Sequence, residues 1–130
     1  MSTRALATAL ALSRLAFGVG FLASPASTAR SWIGRRAAAR QGTQVFTRAL
    51  GAREVALALG ALLTLRDADD RAASVWMAGH AIADGADLMA TLAARRGLPT
   101  SGVVFATAMA GASTAVAAWS SYRLASGMNL

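Results

Sequence analysis

The sequence has no cysteine, no lysine, only two prolines and few charged residues. The absence of cysteine excludes disulfides, thiol catalysis and thiolate metal sites within the chain. Charged residues make up 15% of the 130 positions and hydrophobic ones 55%, whereas an average soluble domain has about 25% charged residues. The shortage of charge therefore favours a membrane protein, with residues 1–130 as a single integral membrane domain.

The chain is strongly basic, with a formal net charge of +7. A basic chain can bind nucleic acid, but the arginines form no single stripe and several lie within apolar runs. We therefore expect membrane lipids with anionic headgroups as partners, and no nucleic acid. One histidine, His80, is too few for a three-histidine zinc site or a two-histidine facial triad. We accordingly predict no metal and no cofactor.

Four apolar runs cover residues 5–24, 45–65, 72–94 and 100–122. Each is close to the roughly 20 residues that a helix needs to cross the hydrocarbon layer. Because the connections are mostly short, the runs predict an all-α fold: an antiparallel bundle of four transmembrane helices. We expect Asp70 to cap the third helix. The alternative is a soluble alanine-rich bundle, but the fourth run has no charged residue and so no wide polar face.

The connection between the first two runs, "PASTARSWIGRRAAARQGTQ", places Trp32 and Ile33 among several arginines. This pattern predicts a short amphipathic segment at the membrane interface, and a solvated loop is the alternative. Arg14 divides the first run and argues against a cleaved signal peptide. The loops on one side of the bundle carry six arginines and those on the other side four. This bias predicts a multi-pass protein of the inner membrane with non-cytoplasmic termini.

The segment "WMAGHAIADGADLMA", residues 76–90, places three ionisable groups in an apolar run. At about 100° per residue, His80, Asp84 and Asp87 span roughly 60° of one helix face. Groups buried in a bilayer need partners, and they commonly mark functional sites. We therefore expect this face of the third helix to point towards a polar centre inside the bundle.

The first two runs place their own ionisable groups at the same depth. Arg14 is at the middle of the first run, and Arg53 and Glu54 are near the middle of the second. An isolated ion at this depth costs roughly 2.5–3.5 kcal/mol on insertion scales. We therefore predict an internal network in which Arg14 and Arg53 bridge the acids. The surplus acid would be protonated or balanced by a charged His80.

Three classes of function agree with such a network. The first is a structural or accessory subunit of a membrane complex, which the sequence favours. The second is a membrane-embedded enzyme or binding protein, such as an acid/base isomerase, cyclase or hydrolase, for a small lipophilic substrate. The third is proton-coupled or ion transport by an oligomer. The candidate catalytic residues are Asp84, Glu54 and His80, and the candidates for ligand binding or the charge network are Arg14, Arg53, Asp87 and Arg48.

The expected partners follow from these alternatives: a membrane protein, a second copy of the chain, or a lipophilic small molecule. Small residues repeat at four-residue spacing in the fourth run, as at Ala108 and Ala112. That spacing allows close helix packing, either within the bundle or between two copies.

Two segments, "LSRLAFGVGFLASPASTARSWIG" and "TRALGAREVALALGALLTL", resemble the small bacterial four-helix membrane proteins of the DoxX-like group and neighbouring uncharacterised families. The likeness covers about the first 65 residues. It implies the four-helix architecture and an accessory redox or stress role. It assigns no catalytic residue.

Overall fold

A computed structural model describes residues 2–127, and this part of the chain is helical throughout, with short turns. The helices are α1 (Thr3–Ala23), α2 (Pro25–Ile33), α3 (Arg35–Ala38), α4 (Gln41–Arg66), α5 (Asp70–Ala94) and α6 (Thr100–Ala125), and a 3-10 turn covers Arg95–Gly97. The all-α class is thus confirmed. Each of the four predicted runs corresponds to one of the four long helices, and only residue 24, at the end of the first run, lies outside its helix.

The turn between α4 and α5 differs by one residue from the prediction. The side chain of Asp69, not of Asp70, caps α5, and its Oδ1 accepts a hydrogen bond from the Ala72 amide at 2.9 Å. The chain reverses at Ala68, which has a φ of 59°. Asp70 becomes the first residue of α5, where its carboxylate pairs with Arg4 of α1 at 3.6 Å.

The long helices pack as antiparallel neighbours. Near the start of α1, Arg4 donates to the carbonyl oxygen of Leu65 at 2.6 Å. Further along, Gly18 lies against Gly51, where a Cβ added to Gly18 would be 2.9 Å from the Gly51 carbonyl oxygen. The backbones of α1 and α4 therefore touch. α5 and α6 are similarly joined along their length, and α4 and α1 close the arrangement by packing against α5 and α6 respectively.

The connection between α1 and α4 is helical, as the prediction of a short amphipathic segment required. Trp32, near the end of α2, donates from Nε1 to Thr91 Oγ1 of α5 at 3.2 Å. Gly102 of α6 lies directly under the carbonyl group of Trp32, and a Cβ at this position would overlap it. These contacts hold α2 across the adjoining ends of α5 and α6. They do not test whether α2 lies at the membrane interface, which stays a prediction.

Burial is distributed in an unusual way for a helical protein. The fully buried positions are mostly alanines, and the largest fully buried side chains are Met77, His80, Thr3 and Ser120. Large apolar side chains point outward instead, such as Ile82, which is 74% exposed. A soluble protein places large apolar residues inside. The outer surface of this fold therefore carries many large apolar side chains, and its interior consists mainly of alanines together with several buried polar groups.

Two helices, α1 and α6, are long and apolar enough to cross a membrane. Only 22% of the apolar window of α1 and 11% of that of α6 is buried within the fold, so most of each window lies at the surface. α4 and α5 do not reach the same apolarity, because they carry Arg53, Glu54, Asp84 and Asp87.

Candidate functional site

Five charged side chains from three helices form one connected row. Arg14 of α1 pairs with both Glu54 of α4 and Asp84 of α5. Arg53 of α4 pairs with Glu54 at 2.8 Å and with Asp87 of α5 at 2.6 Å. The signs alternate along the sequence of contacts Asp87–Arg53–Glu54–Arg14–Asp84, which we call the charge row. The predicted pairing, with both arginines bridging acids, is confirmed.

Small residues bring these groups together. Arg14 lies on the buried stripe of α1, three residues after Ala11 and four before Gly18. Residues at these spacings share one face of a helix. Because Gly18 and Gly51 let α1 and α4 approach backbone to backbone, the guanidinium of Arg14 reaches Glu54.

The row has a buried part and a more exposed part. Arg14, Glu54 and Asp84 are only 5%, 6% and 6% exposed. The side chains of Arg53 and Asp87 are 36% and 28% exposed. Loss of one partner from a buried ion pair leaves an uncompensated charge, at a cost of roughly 3–5 kcal/mol. The inner three charges are therefore tightly coupled to the packing of the helices.

The fourth long helix contributes a hydroxyl group. Ser113 of α6 donates to Asp84 Oδ2 at 2.5 Å and accepts a hydrogen bond from Arg14 Nη2 at 3.4 Å. Ser113 was not among the predicted site residues. Its signal in the sequence was its depth, close to the middle of the fourth apolar run, but serine is also common at plain helix contacts.

Two predicted residues lie apart from the row. Arg48 is exposed on α4, and the prediction that it belongs to the network is wrong. His80 is fully buried one turn from Asp84, against the backbone of Leu57. Neither of its ring nitrogens has a hydrogen-bond partner of normal geometry within residues 2–127. His80, a predicted catalytic residue, therefore has no direct hydrogen-bonded link to Asp84 or Glu54.

A partly open cavity of about 470 Å³ lies beside the charge row, between α1, α2 and α6. Its wall is largely apolar and includes Phe17, Phe21, Trp32, Phe105 and Met109. Its charged lining comes from the row: Arg14, Glu54, Asp84 and Asp87, with Ser113 beside them. Arg53 does not contribute to the wall. No pattern in the sequence predicts this cavity, because its size depends on how far α6 lies from α1.

The arrangement favours binding over acid/base chemistry. Glu54 places one carboxylate oxygen against each arginine. Asp84 places one oxygen against Arg14 and the other against the Ser113 hydroxyl. A general base needs a carboxylate lone pair within reach of the substrate proton, and these lone pairs are largely engaged. Within residues 2–127, no three histidine and acidic side chains are grouped so as to hold a metal ion.

Comparison with protein-family models, with curated proteins and with solved structures finds no match to this chain. The resemblance to the DoxX-like group therefore stays a prediction. Function has to be inferred from the charge row and the cavity themselves.

Proposed function

We propose that this chain is a multi-pass membrane protein that binds a small lipophilic molecule in the cavity between α1 and α6. The observation that carries the proposal is one cavity with two kinds of wall. Aromatic and aliphatic side chains form most of it, and the buried charge row forms the rest. Its volume of about 470 Å³ lies within the range of roughly 300–1,000 Å³ that is typical of small-molecule sites.

The charged side chains lie inside the fold and large apolar side chains lie outside it, which supports four membrane spans. In α4 and α5 the charges that lower the hydropathy, Glu54 and Asp84, are turned inward and paired. The outer faces of the same helices carry exposed apolar side chains, including Leu59, Leu63 and Ile82. Lipid would cover these faces, and paired ions inside the protein are the form in which charge is tolerated at this depth. An antiparallel order of four spans puts both termini on one side.

Aromatic side chains mark both ends of the proposed spans. Trp32 is bound to Thr91 at one end. At the other end, Trp119 lies 5.6 Å from the guanidinium of Arg123, with Tyr122 exposed beside them. Tryptophan and tyrosine are enriched at membrane–water interfaces. The greater arginine content near Trp32 supports a cytoplasmic location for that end in the inner membrane.

The position of the cavity supports entry from the bilayer. α1 and α6 are the two most apolar long helices and they pack less closely on each other than α1 packs on α4. In a membrane, a ligand would pass between them from the lipid, with its hydrocarbon part against Phe17 and Phe105. Its polar end would lie towards the charge row.

A structural or accessory subunit is the second candidate, and the charge row favours it because its pairs join three helices. Such pairs can fix the rotation and register of helices. The cavity separates the two proposals, since a subunit that served only as a scaffold would need no vacant apolar space beside its ion pairs.

The test is native mass spectrometry of the protein extracted in mild detergent. We expect a co-purified small molecule on the wild-type chain. Ala110→Phe fills the cavity wall and should remove at least about 90% of it. Ala118→Phe, on the exposed face of the same helix, is the matched control and should retain it. An empty wild-type chain, or equal occupancy in Ala110→Phe, would overturn the binding proposal in favour of the scaffold.

A further inference from the structure

The charge facing the cavity is predominantly negative. Three carboxylates, those of Glu54, Asp84 and Asp87, contribute to the wall, but only one guanidinium, that of Arg14. Even with Arg53 included, the charge row holds one more acid than base when its side chains are ionised. A charge left uncompensated in a water-poor site is unfavourable. A positively charged ligand in the cavity would compensate it.

Neighbouring groups in the described part of the chain do not supply this compensation. His80 is buried near the row but makes no hydrogen bond to any of its acids. Arg48 is exposed elsewhere on α4. Neither group pairs directly with an acid of the row, so a positive charge brought from outside would balance the surplus without protonation of an acid.

The apolar part of the wall is suited to a cation of low hydration. Three of the four phenylalanines of the chain contribute to it, Phe17, Phe21 and Phe105, together with Trp32. Aromatic faces attract cations, and recognition of quaternary ammonium groups by aromatic cages is a common use of this attraction. Most aromatic side chains of a protein only fill space, but these four line a cavity whose wall also includes carboxylates.

The best place for the positive charge is the α2 end of the cavity. Asp87 ends the charge row there and, among residues 2–127, has Arg53 as its only ion-pair partner; its carboxylate is the most exposed of the row. Its backbone carbonyl accepts a hydrogen bond from Thr91 Oγ1, which in turn accepts from the indole of Trp32. Asp87 and Thr91, the residue that holds the indole, are thus one helical turn apart on α5, and both line the cavity together with Trp32.

We propose that the ligand of this cavity is a lipophilic monovalent cation, such as a hydrophobic amine or onium ion. Its charge lies towards Asp87 and its hydrocarbon groups lie against the phenylalanines. The inference rests on the proposed function and specifies the ligand class. An anion of the same size would face three carboxylates, and a neutral lipid would leave the excess negative charge uncompensated.

The test uses two ions of the same shape and opposite charge. Tetraphenylphosphonium and tetraphenylborate are titrated into detergent-solubilised wild-type protein by isothermal calorimetry. We expect the cation to bind at least about tenfold more tightly than the anion. Asp87→Asn should weaken cation binding about tenfold, and Asp87→Glu should restore most of it. Asp67→Asn removes the same charge from the exposed turn after α4 and should leave binding unchanged.

A circular-dichroism melting curve for each variant separates loss of binding from loss of fold, and Ala110→Phe shows whether binding occurs in the cavity. Equal binding of the two ions, or equal weakening by Asp67→Asn, would overturn the cation proposal while leaving a lipophilic site in place. A neutral co-purified molecule with no cation binding would do the same. If neither ion binds and native mass spectrometry finds an empty chain, the proposed function fails as well.

Discussion

The two parts of the charge row differ in what surrounds them. Arg14, Glu54 and Asp84 lie in the middle of three helices and are almost fully buried. Arg53 and Asp87 form the outer pair, and about a third of each side chain is exposed. The inner part therefore holds the helices together. The outer part can change partners without leaving a fully buried charge unpaired. A site that needs both a stable fold and an adaptable ligand contact benefits from this separation.

The largest effect should follow from breaking the inner part. Arg14→Leu leaves Glu54 and Asp84 buried without their shared partner, which should lower the free energy of unfolding by roughly 3–5 kcal/mol. Thermal unfolding in detergent, followed by circular dichroism, measures this loss. Arg48→Leu removes the same charge from an exposed position of α4 and should change stability by less than about 0.5 kcal/mol. Equal melting temperatures for the two variants would contradict the assignment.

The next effect should come from separating α1 and α4. A side chain at Gly51 would meet the Gly18 carbonyl oxygen at 2.8 Å and the Phe21 side chain at 2.8 Å. Gly51→Val should therefore cost about 1–3 kcal/mol, as overpacking does. Gly42, which has open space around it, is the control position. If Gly51→Val were as stable as Gly42→Val, the close approach of these helices would not be what positions Arg14.

The outer part should be more tolerant. Arg53→Gln removes the partner of Asp87 but leaves Glu54 paired with Arg14, so the loss of stability should be about 1 kcal/mol, in the range of partly exposed pairs. The same variant removes a positive charge from the row, so the net charge of the row becomes more negative and tetraphenylphosphonium should bind more tightly. A loss of stability as large as that of Arg14→Leu would mean that the two parts do not differ.

The smallest effect should come from Trp32→Phe. This change keeps an aromatic ring in the cavity wall but removes the hydrogen bond to Thr91, which is worth about 0.5–1.5 kcal/mol. Thr91→Val removes the other partner and should give a similar decrease, and the double variant should add little to either. Fully additive losses would show that the indole and the hydroxyl act independently.

The sequence predicted the members of the charge row because depth and helix face can be read from spacing alone. Asp84 and Asp87 share a face of α5, and Arg14 and Arg53 lie at matching depths in their runs. Arg48 was not supported by either depth or helix face. It lies five residues before Arg53, so the two point about 140° apart on an ideal helix.

Other features depended on information that single-helix patterns do not contain. The cap at Asp69 followed from the left-handed conformation of Ala68. An alanine in the sequence does not predict that conformation. The cavity resulted from looser packing between α1 and α6, although both have the small residues that permit close contact. Ser113 became a partner of Asp84 only through the rotation of α6.

The central claim is that charge lies inside this fold and lipid outside it, and cysteine labelling tests it most directly. Because the chain has no native cysteine, each introduced one is a unique reporter. Ile82→Cys projects outward from α5 near the level of the charge row, and Asp67→Cys lies in the exposed turn after α4. In membranes opened to give a water-soluble maleimide access to both sides, Asp67→Cys should react at least about tenfold faster. Both should react fully in denaturing detergent. Equal rates in the membrane would show that Ile82 faces water and would contradict the account.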